Sequence, residues 1–286
     1  MDGFVYQLNM AGALWRISSP IELEVQDSCA PFLAEGGDAD CTLDFSLGHP
    51  EIAGTLLQDR NPRVWETGDS FLIERTFAAA SKPAGCVRLC KDDPLHLRGW
   101  IYPEHAKRVK DLIQLLDLSD LEITLSYLDT VSLHSSLIRY RDEGILFTAP
   151  SGTGKSTQAG LWEQYENADQ INGDRSLIRE SGGRWTAFGG PFAGSSCIYR
   201  NESVPIRAIV VLEQAPENTI EPLNRAEAFR RLYSEMVLPR WNNSAHSRVI
   251  SIVTRLCTEL PVWMLRCTPD QRAVDLLKET IWRDTP

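Results

Sequence analysis

One glycine-rich segment constrains the fold of this chain more than any other part of the sequence. An apolar run, Gly144 to Thr148, leads into Ala149-Pro-Ser-Gly-Thr-Gly-Lys-Ser156, and a helix is expected from Lys155 to about Tyr165. A strand, a glycine-rich loop ending in Lys-Ser and a helix are the context that a phosphate-binding loop requires. The strict pattern begins with glycine, and Ala149 occupies that position here. The alternative is a glycine-rich turn that caps a helix without binding a ligand.

The residue types in this segment are typical of a loop that binds a nucleoside triphosphate. Gly152 and Gly154 allow backbone N–H groups to turn towards an anion, and the helix start adds its positive dipole end. Lys155 can reach the β- and γ-phosphates, and the Ser156 hydroxyl can coordinate Mg²⁺. We therefore expect ATP and Mg²⁺ as cofactors. The predicted nucleotide-binding residues are Ser151, Gly152, Thr153, Gly154, Lys155, Ser156 and Thr157.

Composition and charge narrow the class of protein. The 286 residues include 43% hydrophobic and 24% charged residues, which is ordinary globular usage. The net charge of −10, with no Lys/Arg run longer than two, disfavours nucleic acids and anionic membranes as partners. Seven scattered cysteines fit reduced thiols better than a disulfide framework. Without a signal peptide or an 18-residue apolar window, the sequence predicts a cytoplasmic protein.

The order of predicted elements indicates an α/β fold in two parts. Residues 1–120 are expected to form a β-rich N-terminal domain, and a helix is expected near its end, at 104–118. Residues 121–286 alternate strands with helices, which is typical of an α/β core. Strands are expected at 132–140, 144–149 and 208–212, and helices at 225–238, 249–260 and 269–282.

A second acidic motif follows the loop helix. Asp174 lies in Ile171-Asn-Gly-Asp-Arg175, where a carboxylate could coordinate Mg²⁺ or accept a proton from an attacking hydroxyl. The sequence contains no Asn-Lys-x-Asp motif, which disfavours a GTPase. It also lacks a run of four apolar residues ending in an acidic pair, which motor ATPases usually carry. Asp174 could alternatively be an ordinary turn residue after Asn172 and Gly173.

These motifs together resemble the HPr kinase/phosphorylase family, whose nucleotide domain is similar to that of phosphoenolpyruvate carboxykinase. In that family a His precedes the loop strand, and His134 in Ser132-Leu-His-Ser-Ser136 occupies that place. The family carries Asp-Asp after the loop helix, whereas here Gly173 precedes a single Asp174. The resemblance implies that Asp174, His134 and Lys155 are catalytic, with Asp174 as the base and also, with Ser156, a metal ligand.

The resemblance extends to HPr-kinase-like proteins found beside peptide-modification genes. These carry a Gly-x-Pro-Trp-x-Gly loop followed by Val-Pro-Leu-x-x-Ile and an apolar run. The chain has Gly189-Gly-Pro-Phe-Ala-Gly194 and then Val204 to Leu212. This implies a substrate loop with Gly190, Pro191 and Gly194. A basic residue that often follows this loop is replaced by Ser195, and the Arg-Gly-Leu-Gly signature is missing, so HPr itself is not expected as the substrate.

The function that the sequence favours is transfer of the γ-phosphoryl group of ATP to a hydroxyl of a peptide serine or a small metabolite. The alternative is a non-catalytic nucleotide-binding adaptor or a peptide-binding accessory protein; a phosphate-dependent reverse reaction is a third possibility. Arg200, Arg207 and Arg240 are candidate transition-state cations, and Arg175 could neutralise phosphate charge. His134 could instead be a structural histidine. Because members of the resembled family form oligomers, a homo-oligomer is possible.

Overall fold

The computed structural model describes residues 3–77, 82–192 and 194–283. It contains 16 strands and six α-helices within these residues and divides into two compact units. The first unit comprises residues 1–128 and 239–246, and the second comprises 129–238 and 247–286. The chain is thus a mixed α/β protein with large sheets, as the sequence predicts. No helix of the described part of the chain is long and apolar enough to cross a lipid bilayer.

The first unit is built on one eight-stranded sheet with the order β1-β2-β3-β8-β7-β6-β5-β4. Its pairs are antiparallel except β2 with β3 and β3 with β8, which are parallel. The strands are β1 Phe4–Met10, β2 Ala13–Ser19, β3 Cys41–Leu47, β4 Thr55–Asp59, β5 Arg63–Glu66, β6 Ser70–Arg75, β7 Gly85–Cys90 and β8 His96–Ile101.

The helix expected at 104–118 is shorter than predicted and begins later. Residues Pro103–Arg108 form 3₁₀ turns, and α1 runs only from Leu112 to Leu118. The cause is a helix cap inside the expected segment. The Asp111 carboxylate accepts a hydrogen bond from the Gln114 N–H (2.9 Å), and the Gln114 side chain accepts one from the Lys110 N–H (2.6 Å). An aspartate N-cap of this kind starts a helix, because it satisfies an N–H group that has no partner within the helix. A further helix, α2, spans Leu121–Tyr127.

The second unit contains the glycine-rich loop. Its strands are β9 Val131–Tyr140, β10 Glu143–Thr148, β11 Asp169–Asn172, β12 Arg175–Ser181, β13 Arg184–Phe188, β14 Ser203–Gln214, β15 Thr219–Pro222 and β16 Val262–Cys267. Its helices are α3 Lys155–Glu166, α4 Arg225–Glu235, the 247–259 part of α5 (Asn243–Glu259) and α6 Gln271–Ile281. The sheet has the order β10-β9-β12-β13-β14-β16-β15, and β10 also pairs with β14, so five strands close into a ring.

Alternating side chains of this sheet pack against helices on both of its faces. On β14, Ile209 and Val211 join a core with Leu232 of α4 and Val253 of α5. Val210 and Leu212 of the same strand join a second core, with Trp162 of α3 and Leu277 of α6. Because successive strand residues point to opposite faces, one apolar strand serves both cores.

The three parallel strands β10, β14 and β16 end at the same edge of the sheet. In both open and closed α/β sheets, ligands commonly bind beside the carboxyl ends of the parallel strands. Here the loop 149–154, Glu213 and Gln214, and Thr268 follow or end these three strands. The fold therefore brings three separate parts of the sequence to one crevice.

Candidate functional site

The glycine-rich loop joins β10 to α3. Strand β10 ends at Thr148 and α3 begins at Lys155, so the predicted strand and helix are both present. Gly152 and Gly154 have φ angles of 81° and 114°, which residues with a Cβ rarely adopt. The loop leads directly into the start of α3, whose first N–H groups have no partner within the helix. The N-cap residue, Gly154, provides no side-chain cap for these N–H groups.

The Lys155 side chain lies folded beneath the loop and is almost completely buried, with 8% of the residue exposed. Its Nζ donates a hydrogen bond to the carbonyl of Ala149 at 2.8 Å. Burial lowers the pKa of the Lys155 ammonium, and the nearby Glu235 and Asp174 carboxylates oppose that effect. The charges of these two carboxylates thus act on the buried Lys155 ammonium.

His134 lies between two carboxylates. Its Nε2 is 3.5 Å from Asp174 Oδ1 and its Nδ1 is 3.4 Å from Glu235 Oε2. The Asp174 side chain is 31% exposed, whereas that of Glu235 is 13% exposed. An imidazole between two carboxylates can hold a proton or pass it from one side to the other. The structure thus brings Asp174 and His134 together and adds Glu235 as a third member of the cluster.

Backbone hydrogen bonds fix this cluster to the sheet. His134 pairs in register with Arg175 of β12, and the Ser135 N–H donates to the Asp174 carbonyl at 2.9 Å. The Thr148 hydroxyl donates to the His134 carbonyl at 2.9 Å, which ties the last residue of β10 to β9. The cluster and the glycine-rich loop are therefore held by the same three strands.

Asn172 connects the Asp174 turn to the predicted substrate loop. Its side chain is completely buried; Oδ1 accepts from the Asp174 N–H at 3.0 Å, and Nδ2 donates to the Gly190 carbonyl at 3.1 Å. Gly190 and Pro191 are buried. The segment 189–194 thus lies against the turn that carries Asp174. One residue of the predicted loop, Ala193, falls outside the described residues.

Gly194 lies so close to the Asp174 side chain that a Cβ at this position would force one of the two residues to move. Its φ is 53°, and a Cβ there would lie 2.8 Å from Asp174 Cγ. On the other side of the carboxylate, Arg175 Nε is 4.0 Å from Asp174 Oδ2, and the Arg175 guanidinium lies over the Phe192 ring at 5.4 Å. Asp174 therefore has a close backbone neighbour on one side and a cation on the other.

Two cavities adjoin the glycine-rich loop. The first cavity, of about 360 Å³, is lined by the loop and the start of α3, by Gln214 and by Thr268 at the ends of β14 and β16. The second cavity, of about 380 Å³, is lined by Ser151, Gly152, Glu213 and Arg231 among others. Gln214 lies between the two and donates weak hydrogen bonds, each 3.4 Å, to the carbonyls of Gly152 and Thr153.

The candidate metal ligands of the sequence analysis, Ser156 and Asp174, do not belong to a preformed metal cluster among the described residues. Within residues 3–77, 82–192 and 194–283, no group of three or more His, Cys, Asp or Glu is arranged to hold a metal ion. The Ser156 hydroxyl is exposed at the start of α3, and the Asp174 carboxylate is partly exposed. Mg²⁺ typically binds through one or two protein oxygens together with substrate phosphates and water, so it does not require a preformed cluster of side chains.

Two arginines proposed as transition-state cations are engaged elsewhere. Arg207 donates to the Ile281 carbonyl at 3.0 Å through Nε and pairs with Glu143 at 3.7 Å. Arg200 pairs with Asp169 and Glu202, each at 3.8 Å. Arg240 belongs to the first compact unit. The arginine that lines a cavity at the loop is instead Arg231, which the sequence analysis did not single out.

The comparisons with known proteins assign a family. The model of the family described as "ScmC: SynChlorMet cassette protein ScmC" matches residues 109–272, which is more than half of the chain. The chain belongs to the ScmC family. The match includes the glycine-rich loop, His134, Asp174 and Glu235, so this whole site lies within the part that defines ScmC proteins.

The other comparisons do not assign a family. No curated protein matches the chain. Among solved structures, the HPr(Ser) kinase/phosphatase from Coxiella burnetii is similar with a TM-score of 0.32 and 11% sequence identity. That match covers 54% of this chain and 88% of the other.

Several residues at the ScmC site escaped sequence reasoning. Glu235 lies 101 residues after His134, and no local motif marks it. Glu213 does have a local signal, because it directly follows the apolar run Ala208 to Leu212. The expected motif ends in two acidic residues, however, and Gln214 occupies the second position here. No local motif marks Arg231, because only the orientation of α4 in the fold shows that this side chain lines a cavity beside the loop.

Proposed function

We propose that this chain is an ATP- and Mg²⁺-dependent kinase that transfers the γ-phosphoryl group to a hydroxyl of a peptide serine or a small metabolite. The observation that carries the proposal is the buried Lys155 at the end of the glycine-rich loop, together with the Asp174 carboxylate that pairs with His134. A cation beneath the loop and a carboxylate beside it are the two groups that phosphoryl transfer to an alcohol requires.

The nucleotide would span the loop. Its phosphates would accept hydrogen bonds from the N–H groups of 151–157, where the helix start favours negative charge. The first cavity, which Thr157 and Gln158 help to line, has room for a nucleoside beside the loop. Lys155 would exchange the Ala149 carbonyl for phosphate oxygens.

Ser156 and Asp174 would hold the magnesium ion together with phosphate oxygens. A bound Mg²⁺ would neutralise charge that develops on the phosphates during transfer. Asp174 cannot both bind the metal and accept the acceptor proton through one oxygen, but its carboxylate has two. Oδ1 is the oxygen that faces His134 Nε2, at 3.5 Å.

The chemical step would form a bond between the acceptor oxygen and the γ-phosphorus and break the bond from that phosphorus to the β,γ-bridging oxygen, which leaves with ADP. The acceptor proton would pass to Asp174. His134, with Glu235 on its other nitrogen, would fix the orientation of that carboxylate. Lys155 would stabilise the transferring group, because catalysis of this reaction is mainly positioning and charge stabilisation.

The acceptor hydroxyl would reach Asp174 past the loop 189–194. Asn172 ties this loop to the turn of Asp174, and Gly194 lies against the carboxylate itself. A loop so placed would decide which hydroxyl-bearing molecules can approach. Both a peptide serine and a small polyol satisfy the chemistry of this site.

The proposal can be tested with γ-labelled ATP, Mg²⁺ and a panel of serine peptides and polyols, scored by label transfer and mass shift. Lys155→Ala should abolish transfer. Asp174→Asn should abolish transfer but keep nucleotide binding. Asp142→Asn is the matched control, because it removes the same charge from an exposed turn outside the site.

Each failure has its own meaning. If Asp174→Asn transfers phosphate at the wild-type rate, the base is wrongly assigned. If the wild-type protein binds ATP and yields neither ADP nor a phosphorylated acceptor, the chain is a nucleotide-binding adaptor and not a kinase.

A further inference from the structure

Arg231 is the basic side chain that reaches the second cavity. That cavity also includes Ser151, Gly152 and Thr153 of the glycine-rich loop, with Glu213 and Gln214 at the end of β14. Arg231 comes from α4, which is not part of the loop or of its neighbouring strands. The second cavity is therefore a space between the glycine-rich loop and an arginine.

The helix that carries Arg231 also carries Glu235. The two residues are four apart on α4, so they share one face of the helix and are separated by about 6 Å along its axis. Glu235 contacts His134 beside Asp174, and it acts on the pKa of Lys155. Arg231 thus lies about one helical turn from the cluster where the reaction is proposed to occur.

The present partners of Arg231 are exchangeable. Its Nε donates to Glu227 Oε1 at 2.9 Å, and its Nη2 is 3.8 Å from Glu213 Oε2. All three side chains are partly exposed, and ion pairs in contact with water contribute little. A phosphate offers more, because a guanidinium binds it with two parallel charged hydrogen bonds.

We propose that Arg231 binds the terminal phosphate of the nucleotide and so makes the site prefer a triphosphate to a diphosphate. This inference rests on the proposed nucleotide-binding function. In it, Arg231 leaves Glu213 for the γ-phosphate, while Lys155 and the loop amides hold the phosphates that ATP and ADP share.

The neighbouring Arg230 supplies a matched control. It belongs to the same helix and donates to the same Glu227, at 2.6 Å and 3.0 Å. Its side chain is 65% exposed, and it does not line the second cavity. Replacing either arginine removes one positive charge and one ion pair with Glu227. Only Arg231→Ala removes a guanidinium from the space beside the loop.

The test is calorimetric titration of wild-type protein, Arg231→Ala and Arg230→Ala with Mg²⁺–ADP and with the Mg²⁺ complex of the non-hydrolysable β,γ-imido analogue of ATP. Wild type and Arg230→Ala should bind the triphosphate more tightly than ADP. Arg231→Ala should bind the triphosphate about tenfold more weakly or worse, as expected for a lost charged hydrogen bond. Its affinity for ADP should be unchanged, which also shows that it is folded.

The other outcomes are decisive too. An unchanged preference in Arg231→Ala, or equal binding of the two nucleotides by wild type, overturns the role of Arg231 and leaves the kinase proposal standing. Wild-type protein that binds neither nucleotide overturns both. If Arg231→Ala binds neither while wild type binds both, Arg231→Lys decides: a reduced preference with ADP binding intact supports the inference, and a wild-type preference refutes it.

Discussion

A buried lysine is the residue around which the site is arranged. Burial disfavours the charged form of an ammonium, and the pKa of Lys155 is lowered for that reason. The Ala149 carbonyl and two carboxylates compensate in part. A phosphate would compensate further, because it brings negative charge next to Nζ. A bound phosphate would therefore favour the charged form of Lys155.

Gly194 gives the first prediction. Gly194→Ala introduces a Cβ 2.8 Å from Asp174 Cγ, so either the loop or the carboxylate must move. We expect phosphoryl transfer to fall by about tenfold or more, because small misplacements of a reacting group are costly. The affinity for ATP measured without Mg²⁺ should change little, since the loop 149–157 is untouched. Steady-state rates and calorimetry measure the two effects separately.

Gly182→Ala is the control for that variant. Gly182 also has a positive φ, 59°, but nothing lies within 4 Å of the Cβ position. Both variants thus carry similar backbone strain, and only one touches Asp174. Equal activity of the two variants would show that contact with Asp174 is unimportant.

The strands around the loop were predictable from the sequence, and the reason is their composition. Strands expected at 132–140, 144–149 and 208–212 correspond to β9, β10 and the apolar part of β14. For β10 and β14 the signal was a continuous apolar run between turn residues, which is typical of strands buried on both faces, whereas β9 mixes apolar residues with serines and His134. The glycine-rich loop followed because its residue order is specific.

Other elements lacked such a signal. Strands β4, β11 and β15 have only four or five residues, and their sequences are largely polar. The prediction of a helix over 104–118 was wrong in its first half, because the apolar spacing that suggested it gives no information on where the helix begins. The Asp111 cap sets that start. In physical terms, short elements depend on their neighbours in the fold, whereas a cap is local and could have been read from Asp111 and Gln114.

The start of α6 gives a prediction about pH. Asp270 caps this helix by accepting from the Ala273 N–H at 3.1 Å, and Arg272 at 2.8 Å lowers the pKa of the carboxyl to about 2. A lowered pKa means that the folded state favours the ionised form. The stabilisation is therefore complete above the ordinary carboxyl value of about 3.9 and is lost as the pH falls towards 2.

Asp270→Asn tests this, since asparagine also caps helices but carries no charge. At pH 7 its melting temperature should be lower than that of wild type by about 1–3 °C. The difference should narrow as the pH falls from about 4 towards 2. Asp275→Asn, inside the same helix, is the control. A difference that stays constant, or grows in acid, would contradict the assigned pKa direction.

At the scale of the whole molecule, the candidate site is a product of long-range contacts. His134, Lys155, Asp174 and Glu235 come from β9, the start of α3, the turn after β11 and the end of α4. Sequence reasoning could select the first three because each lies in a motif. It could not select Glu235, because only the packing of α4 on the sheet brings that carboxylate to His134.

The family assignment and the site agree in extent. The part that matches ScmC proteins, 109–272, includes every residue of the candidate site. We therefore expect other ScmC proteins to use the same crevice at the ends of β10, β14 and β16. The sequence-based division into 1–120 and 121–286 stays a prediction about domains.

The measurement that tests the central claim most directly is calorimetric titration of the whole protein with ATP and Mg²⁺, repeated on Lys155→Ala. The account predicts saturable binding by wild type with one nucleotide per chain, and at least about tenfold weaker binding by the variant, because a charged contact to phosphate is lost. If wild type shows no binding at millimolar ATP, or if the variant binds as tightly as wild type, the loop around Lys155 is not a nucleotide site.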